Sequence, residues 1–222
     1  MQRFGGSKIH HFTRPAERPW LPVPIEVFSP GADAGRPGIL FLYGANGLTP
    51  RYYPLIRHLA EAGYTTFVPR FLEQPGRGSA LRHAARRNFP YWLETLVNAL
   101  VHVVSRPGVD PTRMGLVGVS LGASLGLALA AHCYAVKAVA DWYGEIPDFV
   151  IEKAFRMPPT LILHGGSDRI VSSRTVRRLA LALRQASVPC ELQIYPGERH
   201  VFRPSLHMDA AMRTVAFFEK HI

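Results

Sequence analysis

Residues 118–122 read Gly118-Val119-Ser120-Leu121-Gly122, a G-x-S-x-G pattern. An apolar run over residues 114–119 leads into the serine, and an Ala- and Leu-rich segment over residues 121–131 follows it. This order predicts a strand, a sharp turn and a helix, the setting in which a serine stands exposed above the edge of a sheet. The flanking glycines carry no Cβ atom that would collide in so tight a turn. We therefore predict that Ser120 is a nucleophile held at a strand-to-helix turn.

Strand and helix patterns alternate on both sides of this turn. Residues 38–44 form a continuous apolar run between glycines, as in a strand that helices cover on both faces. Residues 91–104 have helical periodicity, and the chain continues to a last strand over 190–195 and a last helix over 206–221. The alternation predicts an α/β fold with a mostly parallel, twisted sheet and helices on both faces.

The N-terminal segment differs from the rest of the chain. Residues 1–24 are rich in Pro, His and Arg, and their prolines exclude a regular helix. We expect an irregular N-terminal arm over residues 1–24. The remaining residues, 25–222, fit a single domain in length and in hydrophobic content.

The composition limits the partners. The chain of 222 residues has a formal charge of +10, but its arginines are spread along the chain and no DNA- or RNA-binding motif accompanies them, so we expect no nucleic-acid partner. No apolar run approaches the ~20 residues that cross a membrane, and residues 1–6 lack the apolar core of a secretory signal. We expect a cytoplasmic protein without membrane contact, either a monomer or a homodimer.

Two loops late in the chain provide partners for the serine. A serine hydroxyl is a weak nucleophile, and it needs a histidine base that a carboxylate holds in place. In this setting the acid and the histidine follow the nucleophile in the chain, each in a loop after a strand. Asp168 follows the predicted strand over 160–164, and His200 follows the strand over 190–195. Because the carboxyl ends of parallel strands share one edge of the sheet, we predict that Ser120, Asp168 and His200 act as nucleophile, orienting carboxylate and general base.

Other side chains near these loops compete for the same roles. Asp141 also follows a strand and is the alternative acid. Glu198 lies too close along the chain to reach the back of His200, so we expect it to be solvated. His164, at a strand end, is expected to pack or to hydrogen-bond within its loop. The histidines, acids and two cysteines lack the spacing of metal ligands, so we expect no metal and no cofactor.

Acyl transfer also requires donors for the developing negative charge, usually two backbone N–H groups. One donor directly follows the nucleophile, which assigns Leu121. The second comes from the turn after the first long strand, where Leu42 and Tyr43 are the candidates. Two glycines in that turn, Gly44 and Gly47, also suit any tight loop.

Taken together, these motifs resemble those of the dienelactone hydrolase family, within the α/β-hydrolase superfamily. The resemblance extends from about Gly38 to His221 and therefore covers most of the chain. It rests on the motifs at residues 42–47, 59–69, 109–122, 143–144, 164–168 and 195–202. The resemblance implies the α/β-hydrolase fold and a hydrolytic triad.

The chain also departs from this family near the nucleophile. The family uses a cysteine where this chain has Ser120, and a glutamate where this chain has Phe41, which cannot accept a proton. The family binds a substrate carboxylate through arginines, and Arg70 and Arg203 lie near those positions without aligning cleanly. The resemblance thus favours a small ester, lactone or thioester over a dienelactone, cleaved through an acyl-serine intermediate.

The substrate pocket is expected beside the ends of the strands. Aromatic residues that follow strand ends either line an apolar acyl pocket or belong to the core: Trp142, Tyr143 and Phe202. An arginine-rich segment over 70–87 is expected to form a lid whose cations contact an acidic substrate: Arg77, Arg82 and Arg86. Two alternatives stay open: a small peptidase-like hydrolase, since prolyl-oligopeptidase-type catalytic domains resemble this one, and a non-catalytic binding protein on the same scaffold.

Overall fold

A single twisted sheet organises the chain. The structure, a computed structural model, describes residues 8–12, 23–31, 35–73 and 82–222. The strands are β1 (Lys8–Phe12), β2 (Val23–Phe28), β3 (Arg36–Leu42), β4 (Thr65–Pro69), β5 (Val109–Val119), β6 (Val136–Trp142), β7 (Thr160–Gly165) and β8 (Cys190–Tyr195). They form one sheet in the order β1-β2-β4-β3-β5-β6-β7-β8.

The predicted parallel sheet is confirmed from β3 to β8, where every neighbouring pair runs parallel. The first two strands are antiparallel to their neighbours. The expectation of a wholly irregular arm was wrong for Lys8–Phe12, which forms the edge strand because its backbone pairs with β2, with His10 opposite Ile25. Residues 1–7 and 13–22 of the predicted arm lie outside the described residues.

Helices cover both faces of the sheet, as predicted. They are α1 (Tyr53–Glu61), α2 (Arg82–Val104), α3 (Leu121–Ala130), α4 (Asp148–Glu152), α5 (Ser173–Gln185) and α6 (Pro204–His221). On β5, Leu116 points to Gly126 of α3, whereas a Cβ atom at Gly115 would lie 3.2 Å from Phe218 of α6. Since neighbouring strand residues face opposite sides, α3 and α6 lie on opposite faces. None of the helices in the described residues is long and apolar enough to cross a membrane.

The longest helix, α2, begins earlier than the periodicity predicted. We expected a helix over 91–104 and an excursion before it, but the helix begins at Arg82 and contains Pro90. A proline inside a helix removes one backbone hydrogen bond. Trp92 and Leu96, the next inward-facing residues, are fully buried, and their packing offsets that loss.

The position of β5 determines where the site can form. This strand lies in the middle of the sheet, between β3 and β6, and Leu116 and Val117 on it are fully buried. The loops that follow β5, β7 and β8 leave the same edge, because these strands are parallel. This edge is therefore the place where residues far apart in the chain can meet.

Candidate active site

The turn between β5 and α3 holds Ser120 in a strained conformation. Its backbone has φ 54° and ψ −116°, a region that residues with a side chain rarely adopt, at a cost of about 1–3 kcal/mol. The flanking glycines permit the turn to close. A Cβ atom at Gly118 would lie 2.3 Å from the Ala123 Cα atom, and one at Gly122 would lie 2.1 Å from the Leu42 carbonyl oxygen. Both neighbours are backbone atoms, so only glycine fits at either position.

The three predicted partners converge above this edge of the sheet. Ser120 Oγ lies 2.8 Å from His200 Nε2, and His200 Nδ1 lies 2.8 Å from Asp168 Oδ2. An ionised carboxylate only accepts hydrogen bonds, which assigns the imidazole proton to Nδ1. The Nε2 atom is then free to accept the hydroxyl proton of Ser120. The arrangement is a continuous relay from alcohol to imidazole to carboxylate.

The orientation of the Asp168 carboxylate is set by its own loop. Its side chain is fully buried, and its Oδ1 atom accepts hydrogen bonds from the backbone N–H groups of Ile170 at 2.8 Å and Val171 at 3.0 Å. Two donors on one oxygen leave Oδ2 aimed at His200. The loop after β7 therefore presents the carboxylate in one orientation.

His164 forms a hydrogen bond within this loop, as expected. It is fully buried, and its Nε2 atom lies 3.1 Å from the Val171 carbonyl oxygen. A carbonyl only accepts, so Nε2 carries the proton. Burial lowers the pKa of His164, which keeps the ring neutral beside Asp168, 3.7 Å away.

The loops that carry Asp168 and His200 are joined through Glu198. The Ser167 N–H donates to the Glu198 carbonyl oxygen at 2.8 Å, and the Glu198 carboxylate accepts from the backbone and guanidinium of Arg203. We expected Glu198 to be solvated, but the residue is buried. The hydrogen bond from the Arg203 backbone lowers the pKa of Glu198. The loop folds back on itself so that the Glu198 carboxylate meets Arg203. The sequence did not predict this contact.

The alternative acid, Asp141, does not contact His200. It lies on β6, where its Oδ1 atom accepts a hydrogen bond from the Gly144 N–H at 2.7 Å. Its other oxygen has no hydrogen-bond partner in the part of the chain that the structure describes. Complete burial raises the pKa of Asp141 to about 7. This carboxyl group stabilises the turn after β6, and among the carboxylates that the structure describes it is Asp168 that contacts the imidazole.

The predicted pocket aromatics pack behind the imidazole. Trp142, Tyr143 and Phe202 are all at least 97% buried. The Tyr143 ring lies edge-on to His200, with centroids 5.2 Å apart, and edge-on to Phe202 at 4.8 Å. Trp142 Nε1 donates to the Thr214 hydroxyl. Tyr143 has a positive φ of 48°, a left-handed conformation that residues with a side chain rarely adopt.

The predicted arginines are already paired within the chain. Arg70, after β4, forms ion pairs with Glu26 and Glu73, and Arg203 pairs with Glu198. Both guanidinium groups are thus engaged by carboxylates of this chain. The predicted lid contacts fall outside what the structure describes. Arg77 lies outside the described residues, and the side chains of Arg82 and Arg86 are not described.

The residues predicted to supply oxyanion donors lie at the start of α3 and at or just after the end of β3. Leu121 is the first residue of α3, so its N–H has no acceptor within the helix and lies directly beside Ser120. Leu42 ends β3, and its carbonyl oxygen abuts Gly122. The Tyr43 ring stacks on Phe71. Among the described residues, no cluster of His, Cys, Asp or Glu could hold a metal ion.

Comparisons with known proteins agree with this architecture. The sequence model of the Dienelactone hydrolase family matches residues 26–216. A carboxymethylenebutenolidase of Rhodococcus opacus is 25% identical over 225 residues, which cover 90% of this chain and 87% of that protein. A solved puromycin-hydrolyzing peptidase of Mycobacterium tuberculosis has a TM-score of 0.78 at 21% identity, over 97% of this chain and 39% of that one.

A second solved structure is similar over its whole length. A dienelactone hydrolase-like promiscuous phosphotriesterase from metagenomic libraries has a TM-score of 0.76 at 17% identity, over 97% of this chain and 98% of that one. These structural likenesses establish the fold, and the family match includes strands β3 to β8 of the sheet. The chain is therefore a hydrolase that belongs to the dienelactone hydrolase family of the α/β-hydrolase superfamily.

Proposed function

We propose that this protein is a serine hydrolase that cleaves a small ester, lactone or thioester through an acyl-Ser120 intermediate. The observation that carries the proposal is the relay of two 2.8 Å contacts from Ser120 Oγ through His200 to Asp168. A weak nucleophile becomes effective when a base lies within hydrogen-bond reach and a carboxylate holds that base.

The reaction proceeds in two halves. In the first, His200 Nε2 takes the Ser120 proton while Oγ bonds to the carbonyl carbon. The imidazolium then protonates the leaving alkoxide or thiolate as the bond to the acyl carbon breaks. In the second half, His200 deprotonates a water that attacks the acyl-serine, and it returns the proton to Oγ as the acid leaves. Asp168 remains ionised and stabilises the imidazolium throughout.

The chain has a serine where the family has a cysteine, and the surroundings of the relay differ from those of the family as well. Phe41, at the position of the family's glutamate, is fully buried and packs edge-on to the Tyr52 ring at 5.5 Å. Among the described residues, Asp168 is the only carboxylate within hydrogen-bond distance of His200. A proton taken from Ser120 therefore has one path, through the imidazole.

The aromatic residues behind the imidazole offer little contact to an acyl group. Trp142, Tyr143 and Phe202 are buried, so little of their surface is free for a substrate. The charge of the chain, +10, attracts anionic substrates from a distance without selecting among them.

A covalent probe tests the nucleophile directly. We expect a fluorophosphonate to label the wild type and to leave Ser120→Ala unlabelled. Ser105→Ala, which removes an exposed serine hydroxyl, is the matched control and should be labelled like the wild type. A folded wild type that resists the probe would instead support the non-catalytic binding protein.

A substrate panel tests the class of bond. The panel contains p-nitrophenyl esters of increasing acyl length, simple lactones, an acyl thioester and an aminoacyl p-nitroanilide. We expect the highest kcat/KM for the shortest acyl esters or for a lactone. A preference for the anilide would favour the peptidase-like alternative.

A further inference from the structure

A buried phenol lies beside the serine turn. Tyr52 ends a short 3-10 helix over Pro50–Tyr52, directly before α1, and only 9% of the residue is exposed. The position of its hydroxyl is defined by Gly44, in the loop after β3. A Cβ atom built on Gly44 would lie 3.2 Å from Tyr52 Oη and 3.5 Å from Ser120 Cβ. The phenol oxygen and the serine side chain thus both border the small space over Gly44.

Among the described residues, the hydroxyl of Tyr52 accepts a hydrogen bond but gives none. The Gly44 N–H donates to Tyr52 Oη at 3.4 Å. No described residue accepts the phenol's own proton, so that proton is available to a group that enters the space over Gly44. Burial raises the pKa of Tyr52, so the phenol stays protonated at the pH where a histidine base operates.

The ring is held in place by its neighbours. Phe41 packs edge-on to Tyr52 with centroids 5.5 Å apart, and burial on this side leaves the ring little freedom to rotate. A donor in fixed orientation needs no reorganisation when charge develops, which is the property that a transition-state donor requires.

These contacts point to a further catalytic residue. The role given to it rests on the serine mechanism proposed above. We propose that the Tyr52 hydroxyl donates a hydrogen bond to the oxyanion of the tetrahedral intermediate, beside the N–H of Leu121. The Gly44 amide donates to the phenol oxygen, and this chain of donors polarises the O–H bond toward the substrate. The proton remains on Tyr52 throughout, so the step changes no covalent bond of the tyrosine.

This assignment adds a side-chain donor to the backbone N–H groups of Leu42 and Tyr43 that the sequence suggested. The Tyr43 phenol serves elsewhere: its ring stacks on Phe71 with centroids 4.8 Å apart, and its hydroxyl accepts from the Leu72 N–H. The Tyr52 phenol, by contrast, borders the space over Gly44.

The adjacent tyrosine provides a matched control. Tyr53 follows Tyr52 directly and is 40% exposed. For Tyr52→Phe we expect kcat on a p-nitrophenyl ester to fall about 10²- to 10³-fold, the usual loss for one oxyanion donor, with KM within about twofold of the wild type. Tyr53→Phe should leave both constants unchanged, and the two variants should unfold at similar temperatures.

A transition-state analogue distinguishes this role from a structural one. A trifluoromethyl ketone forms a tetrahedral adduct with an anionic oxygen on the nucleophile, so its Ki for Tyr52→Phe should rise by the same factor by which kcat/KM falls. An active wild type whose Tyr52→Phe variant keeps its kcat and Ki would overturn this inference and leave the serine mechanism intact. A Tyr143→Phe variant that loses kcat while Tyr52→Phe does not would assign the donor to Tyr143 instead. A wild type without activity or labelling would overturn both proposals.

Discussion

Replacing Asp168 by asparagine tests whether the carboxylate sets the tautomer of His200. In the structure, the N–H groups of Ile170 and Val171 both donate to Asp168 Oδ1. An asparagine must keep its carbonyl oxygen toward these donors, which turns its NH₂ group toward His200 Nδ1. The imidazole then carries its proton on Nε2, where it cannot accept the proton of Ser120.

The structure also gives the size of the effect. The opposite amide orientation would break two hydrogen bonds, one exposed and one part-buried, at about 0.5–1.5 kcal/mol each. The active tautomer is then reduced by roughly 5- to 160-fold, since each 1.36 kcal/mol is tenfold. We expect kcat for Asp168→Asn to fall by that range, with KM little changed.

The assay is hydrolysis of a p-nitrophenyl ester together with the rate of fluorophosphonate labelling. Asp148→Asn removes the charge of an aspartate whose side chain is 84% exposed, and it should behave like the wild type in both. If Asp168→Asn kept more than a third of the wild-type kcat, the carboxylate would not determine the tautomer, and this account of the relay would be wrong.

Two further predictions concern stability. Burial raises the pKa of Asp141 from 3.8 to about 7, so the folded state keeps a proton that the unfolded chain releases, and the contribution of this group to wild-type stability falls as the pH rises from about 4 to about 7. Asp141→Asn should therefore gain stability relative to the wild type across that interval in urea titrations, and a difference independent of pH would contradict the assignment. Gly122→Ala places a methyl group 2.1 Å from the Leu42 carbonyl oxygen, so its Tm should fall by about 10 °C or more. Gly126→Ala meets only the Leu116 side chain, which can rotate, and calorimetry should show a smaller loss.

The residues of the relay could be predicted because each one follows a strand with a clear signature. Residues 160–165 and 190–195 are short segments bounded by turn residues, and the structure has strands at both. The topology of a parallel sheet then brings the loops after them to one edge. Ser120, with its flanking glycines, lies on the same edge. A local pattern and one topological rule were sufficient.

Other features depend on partners that the local sequence does not identify. Lys8–Phe12 has no marked alternation, and it becomes a strand because the edge of β2 is open to pair with it. Glu198 carries the same charge whether solvated or buried, and the fold of its loop around Arg203 decides which. Helix α2 extends through Pro90 because its following residues are buried in the core.

The division between sequence and structure is sharpest at the serine turn. The α/β order, the glycines that permit the turn, and the serine, aspartate and histidine that follow strand ends can all be predicted from neighbours along the chain. Packing in three dimensions places Asp168 rather than Asp141 against the imidazole, and it brings the hydroxyl of Tyr52 to the space over Gly44. Hydrogen bonds of about 3 Å between residues tens of positions apart depend on how sheet and helices pack, and a linear pattern carries no distance of that kind.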